Sequence, residues 1–287
     1  MRKEIAPSEL ILNADGSVYH LHLKPENLAS LIFTVGDPDR VQLVSQYFDE
    51  IEFKTQKREF ITHTGRIGKT RVTVMSTGMG TDNIEILMTE LDALVNINLE
   101  TREVKPINKS LQIIRLGTSG AMQYDIPVGS LLASSKAIGL DTLMQFYPNL
   151  SNSQVWGNLI KKELNLDFYP YQAEASQLLL EKLDSRFRMG ITLTCPGFYA
   201  PQGRTVRLKP KLDNMLEKLS SLEISREKLT NFEMETAGYY ALGALLGHEV
   251  LSLNAIIANR NKGEFDKEPE KTVDLLIRTA LKLFIKK

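Results

Sequence analysis

Five apolar stretches along the chain break off into the same kind of punctuation, and that recurrence restricts the fold more than any other feature. The run 31–35 gives way to Gly36-Asp37-Pro38-Asp39-Arg40, and 70–75 to Ser76-Thr77-Gly78-Met79-Gly80. The run 111–116 carries Arg115 and enters Gly117-Thr118-Ser119-Gly120, 188–194 opens into the Pro/Gly-rich stretch Thr194–Arg207, and 251–258 ends in Asn259-Arg260. Short β-branched runs without polar alternation suit strands buried on both faces, the habit of parallel sheets. Between them lie helical stripes: Val41, Leu43, Val44 and Phe48; Ile84, Leu87, Met88, Leu91 and Leu94; then 174–184, 233–246 and an amphipathic 269–285. Strands alternating with helices predict an α/β fold, a single domain over 1–287 with a central mixed, largely parallel sheet flanked by helices on both faces.

A few segments depart from this rhythm. Residues 1–29 read as an extended N-terminal arm in which SVYHLHL alternates, His20 and His22 facing one way and Tyr19, Leu21 and Leu23 the other. Glu59–Thr64 and Thr70–Thr77 flank a turn and predict a hairpin. Asn96–Ser110 is a polar excursion, and in 141–173 Pro148, Asn149 and Pro170 break every period.

Charge and cysteine content narrow the function classes. The 287 residues carry 35 basic and 35 acidic side chains with no long like-charge block, so neither nucleic acid nor a membrane surface has global electrostatic support. No apolar run approaches the roughly 20 residues that cross a bilayer, and the start MRKEIAPSEL lacks the apolar core of a signal peptide. The single cysteine, Cys195, can form no internal disulfide. The expectation is a cytoplasmic protein without a resident metal or organic cofactor.

In an open sheet the punctuated strand ends share one edge, where ligands bind. Arg40, Arg115, Arg204 and Arg260 come from distant stretches, and guanidinium groups gathered there repel unless an anion lies between them. The loop expected at 115–120 adds hydroxyls from Thr118 and Ser119 and close main-chain approach at Gly117 and Gly120. Glu233-Met234-Glu235 supplies carboxylates that point in different directions, one free to accept sugar hydroxyls, with a soft thioether beside a ring. Two nucleotide-binding motifs fail. Gly68-Lys69-Thr70 resembles the end of a P-loop, yet His63 stands where its first glycine belongs and a strand follows. Gly78-Met79-Gly80 lacks the third glycine of a dinucleotide fingerprint, its place taken by Asn83.

With these residues in view, the chain resembles the nucleoside phosphorylase-I family, and within it the uridine-cleaving branch. GDPDR (36–40), REF (58–60), STGMG (76–80), RLGTSGA (115–121), FYAPQGR (198–204), FEMET (232–236) and ANR (258–260) occur in the family's order and span nearly the whole chain. The resemblance implies phosphorolysis of uridine to uracil and ribose 1-phosphate, with inorganic phosphate as co-substrate. It implies phosphate contacts from Gly36, Arg40, Arg115, Thr118 and a neighbouring subunit's Arg58. Ribose contacts fall on Thr118, Met234, Glu235 and, across the interface, His20 on the 5′-hydroxyl. Base contacts fall on Phe198, Gln202, Arg204 and Arg260, and the catalytic burden on Arg204, Arg115 and Glu235. The family forms homo-oligomers, dimers or hexamers, whose sites two subunits share, with the arm 1–29 at the interface. Glu59 and Ser76 match positions that hold a monovalent cation such as K+ in some members. Purine-cleaving relatives carry an acid on the strand after the EME helix, whereas Ile256-Ile257-Ala258-Asn259 has none. A purine or broad-specificity phosphorylase, a nucleosidase using water and a non-catalytic nucleoside-binding protein remain the alternatives.

Overall fold

A computed structural model describes residues 4–148, 150 and 154–285. Strand β1 (Leu31–Val35) leads through a Gly-Asp-Pro turn into helix α1 (Arg40–Ser45). An antiparallel meander follows, β2 (Glu50–Lys57), β3 (Phe60–Ile67) and β4 (Thr70–Ser76), and then α2 (Thr81–Asn96). The polar excursion holds only the ladder of β5 (Ile97–Asn98) with β6 (Glu103–Val104). Next come β7 (Gln112–Ala121), β8 (Leu131–Gly139), α3 (Val155–Leu164), β9 (Tyr171–Glu174) and α4 (Gln177–Leu180). The last part runs β10 (Phe187–Thr194), α5 (Met215–Ser221), β11 (Glu223–Ile224), β12 (Glu227–Glu233), α6 (Thr236–Leu246), β13 (Glu249–Asn259), β14 (Glu264–Phe265) and α7 (Pro269–Phe284).

One mixed sheet runs in the order β11-β12-β10-β8-β13-β7-β1-β4-β3-β2. Its centre is parallel, β4 with β1, β1 with β7 and β7 with β13. Successive side chains on these strands enter opposite cores, because a strand's period is two. Ile32, Met75, Ile113 and Val250 pack with α2 and α6. Phe33, Val74, Ile114 and Leu251 pack with α1 and α7. Both faces are therefore covered, as the unbroken apolar runs require. No helix among the described residues is long and apolar enough to cross a membrane.

The sheet also bites its own tail. β12 runs parallel to β10 and, at Asn231 and Phe232, antiparallel to β7 at Ala121 and Gly120. β7, β13, β8, β10 and β12 thus close into a five-stranded ring. Each of the five contributes one buried polar side chain to a single chain of bonds. Asn231 Nδ2 donates to Ser119 Oγ at 3.0 Å, and Thr192 Oγ1 to Asn231 Oδ1 at 2.9 Å. Thr192 and Ser134 share a hydroxyl bond, and Asn254 Nδ2 donates to Ser134 Oγ at 3.2 Å. Mutual satisfaction is what permits five such groups in an apolar interior.

Four local expectations give way. RLGTSG is not a loop: β7 continues to Ala121 because β13 and β12 supply ladder partners on its two sides. The stretch 233–246 is not helical throughout, since Glu233 ends β12 and α6 starts at Thr236. The helix expected over 174–184 shrinks to the single turn of α4, behind β9. The arm is folded rather than extended: Leu12 bridges Val18, His22 sits at φ 54°, and Val18, Leu21 and Leu23 are all buried. Tertiary anchors override the alternation there, as Arg102 donates to the carbonyls of Ile5 and Leu10, and Lys57 to that of Tyr19. Asn149, and residues 1–3 of the arm, lie outside the described residues.

Candidate active site

A cleft of about 700 Å³ opens where the strand ends meet, and its walls include Gly36, Arg40, Arg115, Thr118, Phe198, Gln202, Arg204, Met234, Glu235 and Arg260. Ten of the sequence's candidate residues therefore share one cavity. Arg58 and His20 do not line it. Arg58 is exposed at the turn between β2 and β3, in a left-handed conformation with φ 55°. His20 lies in the arm, held against α2 by Glu90.

Arg115 forms the floor. It is 5 % exposed, yet its guanidinium has four partners: Glu235 Oε2 at 2.6 Å, Glu233 Oε2 at 3.2 Å, Ser252 Oγ at 3.2 Å and Asn254 Oδ1 at 3.1 Å. Burial opposes its charge, but Glu233 and Glu235 outweigh that penalty and hold its pKa above the ordinary arginine value. Gly117 makes the pose possible, since a Cβ built there would lie 1.9 Å from Arg115 Nη1. Through Asn254, Arg115 joins the polar chain that crosses the ring of strands.

Glu233 and Glu235 divide their work. Glu233 closes β12 and turns its carboxylate onto the start of α6, where Oε2 accepts the amides of Glu235 and Thr236, each at 2.8 Å. An anion at a helix N-terminus is favoured by the unpaired N–H groups and the dipole. Thr194 Oγ1 donates to the other oxygen and also accepts the Ala237 amide. Glu235 faces the cleft, with Oε1 accepting the Gly80 amide at 2.8 Å and Oε2 bonded to Arg115. Burial, with Glu233 adding repulsion, raises its pKa above the ordinary glutamate value despite Arg115.

The other three arginines lack such partners: none is within ion-pair distance of a carboxylate among the described residues. Arg40 reaches only the Leu116 carbonyl, at 3.5 Å. Burial lowers its pKa; Asp37 opposes this in part, and Arg115 adds a smaller repulsion. At the far end Arg204 stacks on the Phe198 ring, 3.7 Å from its centroid, and donates to Gln202 Oε1 at 2.6 Å. Burial and then the charge of Arg260 bring Arg204 down to about 10. Arg260 donates to the Gln202 carbonyl at 3.1 Å, and burial lowers it too. The cleft thus holds three arginines without a carboxylate partner beside the bonded Arg115–Glu235 pair. Unpaired, half-desolvated cations stabilise negative charge wherever it arrives or develops.

The remaining candidates are accounted for. Asn259 is turned away, its amide on the carbonyls of Gln123 and Ile126 and its oxygen on the Lys262 amide, so β13 presents no acid to the arginine end. Glu264 lies on the rim, exposed. Ser76 Oγ donates to the Glu59 carbonyl and accepts the Ile61 amide at 2.7 Å. Ser76 and Glu59 are thereby tied together, and no cluster of three or more His, Cys, Asp or Glu side chains placed to hold a metal ion exists among the described residues. Cys195 is buried with its thiol pushed well up by burial, the state of an inert packed group. Ser252 and Asn254 escaped notice in the sequence. Their signal was a pair of polar residues two apart inside an apolar strand, which places both on one face.

Comparison with known proteins agrees with this architecture. A uridine phosphorylase of Thermococcus kodakarensis is 30% identical over 291 aligned positions, covering 99% of this chain and 92% of the relative. A DeoD-type purine nucleoside phosphorylase of Myxococcus xanthus is 26% identical across 91% of this chain and 95% of its own. A Trypanosoma brucei nucleoside phosphorylase, whose crystal structure is described as showing uridine phosphorylase activity, superposes with a TM-score of 0.84 at 29% identity, covering 95% of this chain and 99% of that one. The family described as the phosphorylase superfamily matches residues 30–286, and the chain belongs to it.

Proposed function

We propose that the chain is a pentosyltransferase that cleaves uridine with inorganic phosphate, releasing uracil and ribose 1-phosphate. The observation that carries this reading is that one cleft gathers Arg40 beside Arg115 and Glu235, and Arg204 beside Arg260 and Gln202. Phosphate is already an anionic nucleophile, so no side-chain base is needed. Arg40, the Gly36 amide, Thr118 and the floor charge of Arg115 hold it beneath C1′, and such positioning is worth several kcal/mol. Glu235 accepts the 2′- and 3′-hydroxyls, with Met234 under the sugar. As the glycosidic bond breaks, the electron pair passes to the base, and Arg204 meets the charge on its oxygens as an oxyanion hole does. Gln202, Phe198 and Arg260 orient the ring. The absence of an acid at the carboxyl end of β13, Ile256-Ile257-Ala258-Asn259, favours pyrimidine over purine, in keeping with the uridine phosphorylases among the relatives.

Arg58 and His20 line no wall of their own chain's cleft. In this reading they complete the cleft of a second copy, Arg58 on phosphate and His20 on the 5′-hydroxyl, in a cytoplasmic dimer or hexamer of single-domain subunits. The deciding experiment is uracil release from uridine with and without phosphate, beside thymidine and inosine. Phosphate-dependent cleavage of uridine over inosine supports the proposal. Phosphate-independent release, inosine as the better substrate, or binding without turnover refutes it.

A further inference from the structure

Glu90 lies on α2, outside the cleft, and is 6 % exposed. Both carboxylate oxygens are committed to two consecutive residues of the arm. Oε1 and Oε2 share the His20 amide at 2.9 and 3.0 Å, Oε2 accepts the Leu21 amide at 2.8 Å, and Oε1 lies 2.7 Å from His20 Nδ1. A side chain 70 positions away in sequence has thus been brought to one imidazole and its two flanking amides. Burying a carboxylate is costly unless its lone pairs are met, and here four contacts meet them. Main-chain N–H groups already donate to both oxygens, so the contact to the ring is made by a ring N–H. Nδ1 therefore carries the proton, and in the neutral ring Nε2 is left as an acceptor. The ring is 28 % exposed, and Nε2 has no partner among the described residues. The Tyr19 ring packs edge-on against it, 4.9 Å between centroids.

We infer that Glu90 is a positioning residue: it locks His20 in the Nδ1–H tautomer and so presents Nε2 as an acceptor for the 5′-hydroxyl of a nucleoside in a second copy's site. This rests on the uridine reading and on the cross-subunit role of His20 given above. The same logic orients metal-bound and catalytic imidazoles, whose second nitrogen is set by the bond the first one makes. A glutamine cannot substitute, because its amide NH2 would face main-chain N–H donors.

The test uses the full-length protein with saturating phosphate, comparing uridine with 5′-deoxyuridine in wild type, H20A, E90Q and the double variant. Losing one hydrogen bond predicts a rise in KM for uridine of about five- to tenfold in H20A and in E90Q, a double variant no worse than H20A, and no change for either on 5′-deoxyuridine. E90Q that matches wild type on uridine, or that loses equally on 5′-deoxyuridine, overturns the inference. H20A indistinguishable from wild type removes the role of His20 instead, and a wild type without phosphate-dependent uracil release removes the reading beneath both. Should E90Q not fold, 15N NMR of the four histidines in the wild type decides: the Nδ1–H pattern at His20 supports the inference, and the Nε2–H pattern overturns it.

Discussion

Replacing Gly117 with alanine tests whether the floor of the cleft is as rigid as its bonds imply. Gly117 has no left-handed conformation to protect, so the whole effect is steric. The new Cβ would lie 1.9 Å from Arg115 Nη1, 2.5 Å from Cζ and 2.8 Å from Nη2. An unstrained contact needs about 3.5 Å, so Nη1 has to retreat by roughly 1.5 Å. Its bonds to Ser252 and Asn254, at 3.2 and 3.1 Å, do not survive that displacement. Each bond to a charged group is worth about 1.5–3 kcal/mol, so the pair represents at least about 3 kcal/mol. Where that loss falls on the transition state, kcat/KM drops by about 10²-fold, and the melting temperature falls by roughly 5–10 °C. Gly120 in the same strand is the control: its Cβ would meet Arg260 Cγ at 3.4 Å, an ordinary contact, so G120A stays within a few-fold of wild type. The assay is steady-state uracil release across a phosphate titration, with thermal melts on both variants. Wild-type kcat/KM and an unchanged melt for G117A would show that Arg115 is not pinned and would refute the reasoning.

Other outcomes follow from the same geometry. Arg204→Ala should lower kcat/KM by about 10²-fold or more, because it removes the donor facing the leaving base; near-normal turnover removes that role. Glu235→Gln should cost more on uridine than on 2′-deoxyuridine, and equal losses count against the hydroxyl contact. Since burial raises the Glu235 pKa, its carboxylate takes up a proton earlier on acidification than a free glutamate. The acid limb of kcat/KM for uridine therefore lies above the ordinary glutamate range, and it should vanish in E235Q; a limb unchanged in that variant assigns it elsewhere. Cys195, with its thiol raised by burial, should resist a thiol reagent in native buffer and react only on unfolding. Rapid native labelling contradicts the packing.

How much could be read from the sequence depended on which force placed each residue. The cleft walls were legible because strand ends in an open sheet share an edge, so Arg40, Arg115, Arg204 and Arg260 could be gathered without knowing the order of strands. What failed was the state of the backbone between them. RLGTSG has the glycines and hydroxyls of a loop, and only its neighbours β13 and β12 make it a strand, which one segment read alone does not disclose. β2 was overlooked although Glu50–Lys57 alternates exposed and half-buried positions along its whole length; its charged face disguised it. The bonded chain of Ser119, Asn231, Thr192, Ser134 and Asn254 was invisible for a different reason. Each is an ordinary polar residue alone, and the closure of β12 on β7 is what brings the five together.

That closure also separates what this scaffold can vary from what it cannot. Arg115 and Thr118 sit on β7, which is laddered to β13 and β1 and closes onto β12, and Arg115 joins the ring of strands through Asn254, so a change there disturbs several strands at once. Phe198, Gln202 and Arg204 belong instead to the irregular stretch after β10, beyond the last ladder bond. A lineage can rebuild that stretch to accept a different heterocycle while leaving the chemistry at C1′ intact. Both a uridine phosphorylase and a DeoD-type purine nucleoside phosphorylase stand among the relatives.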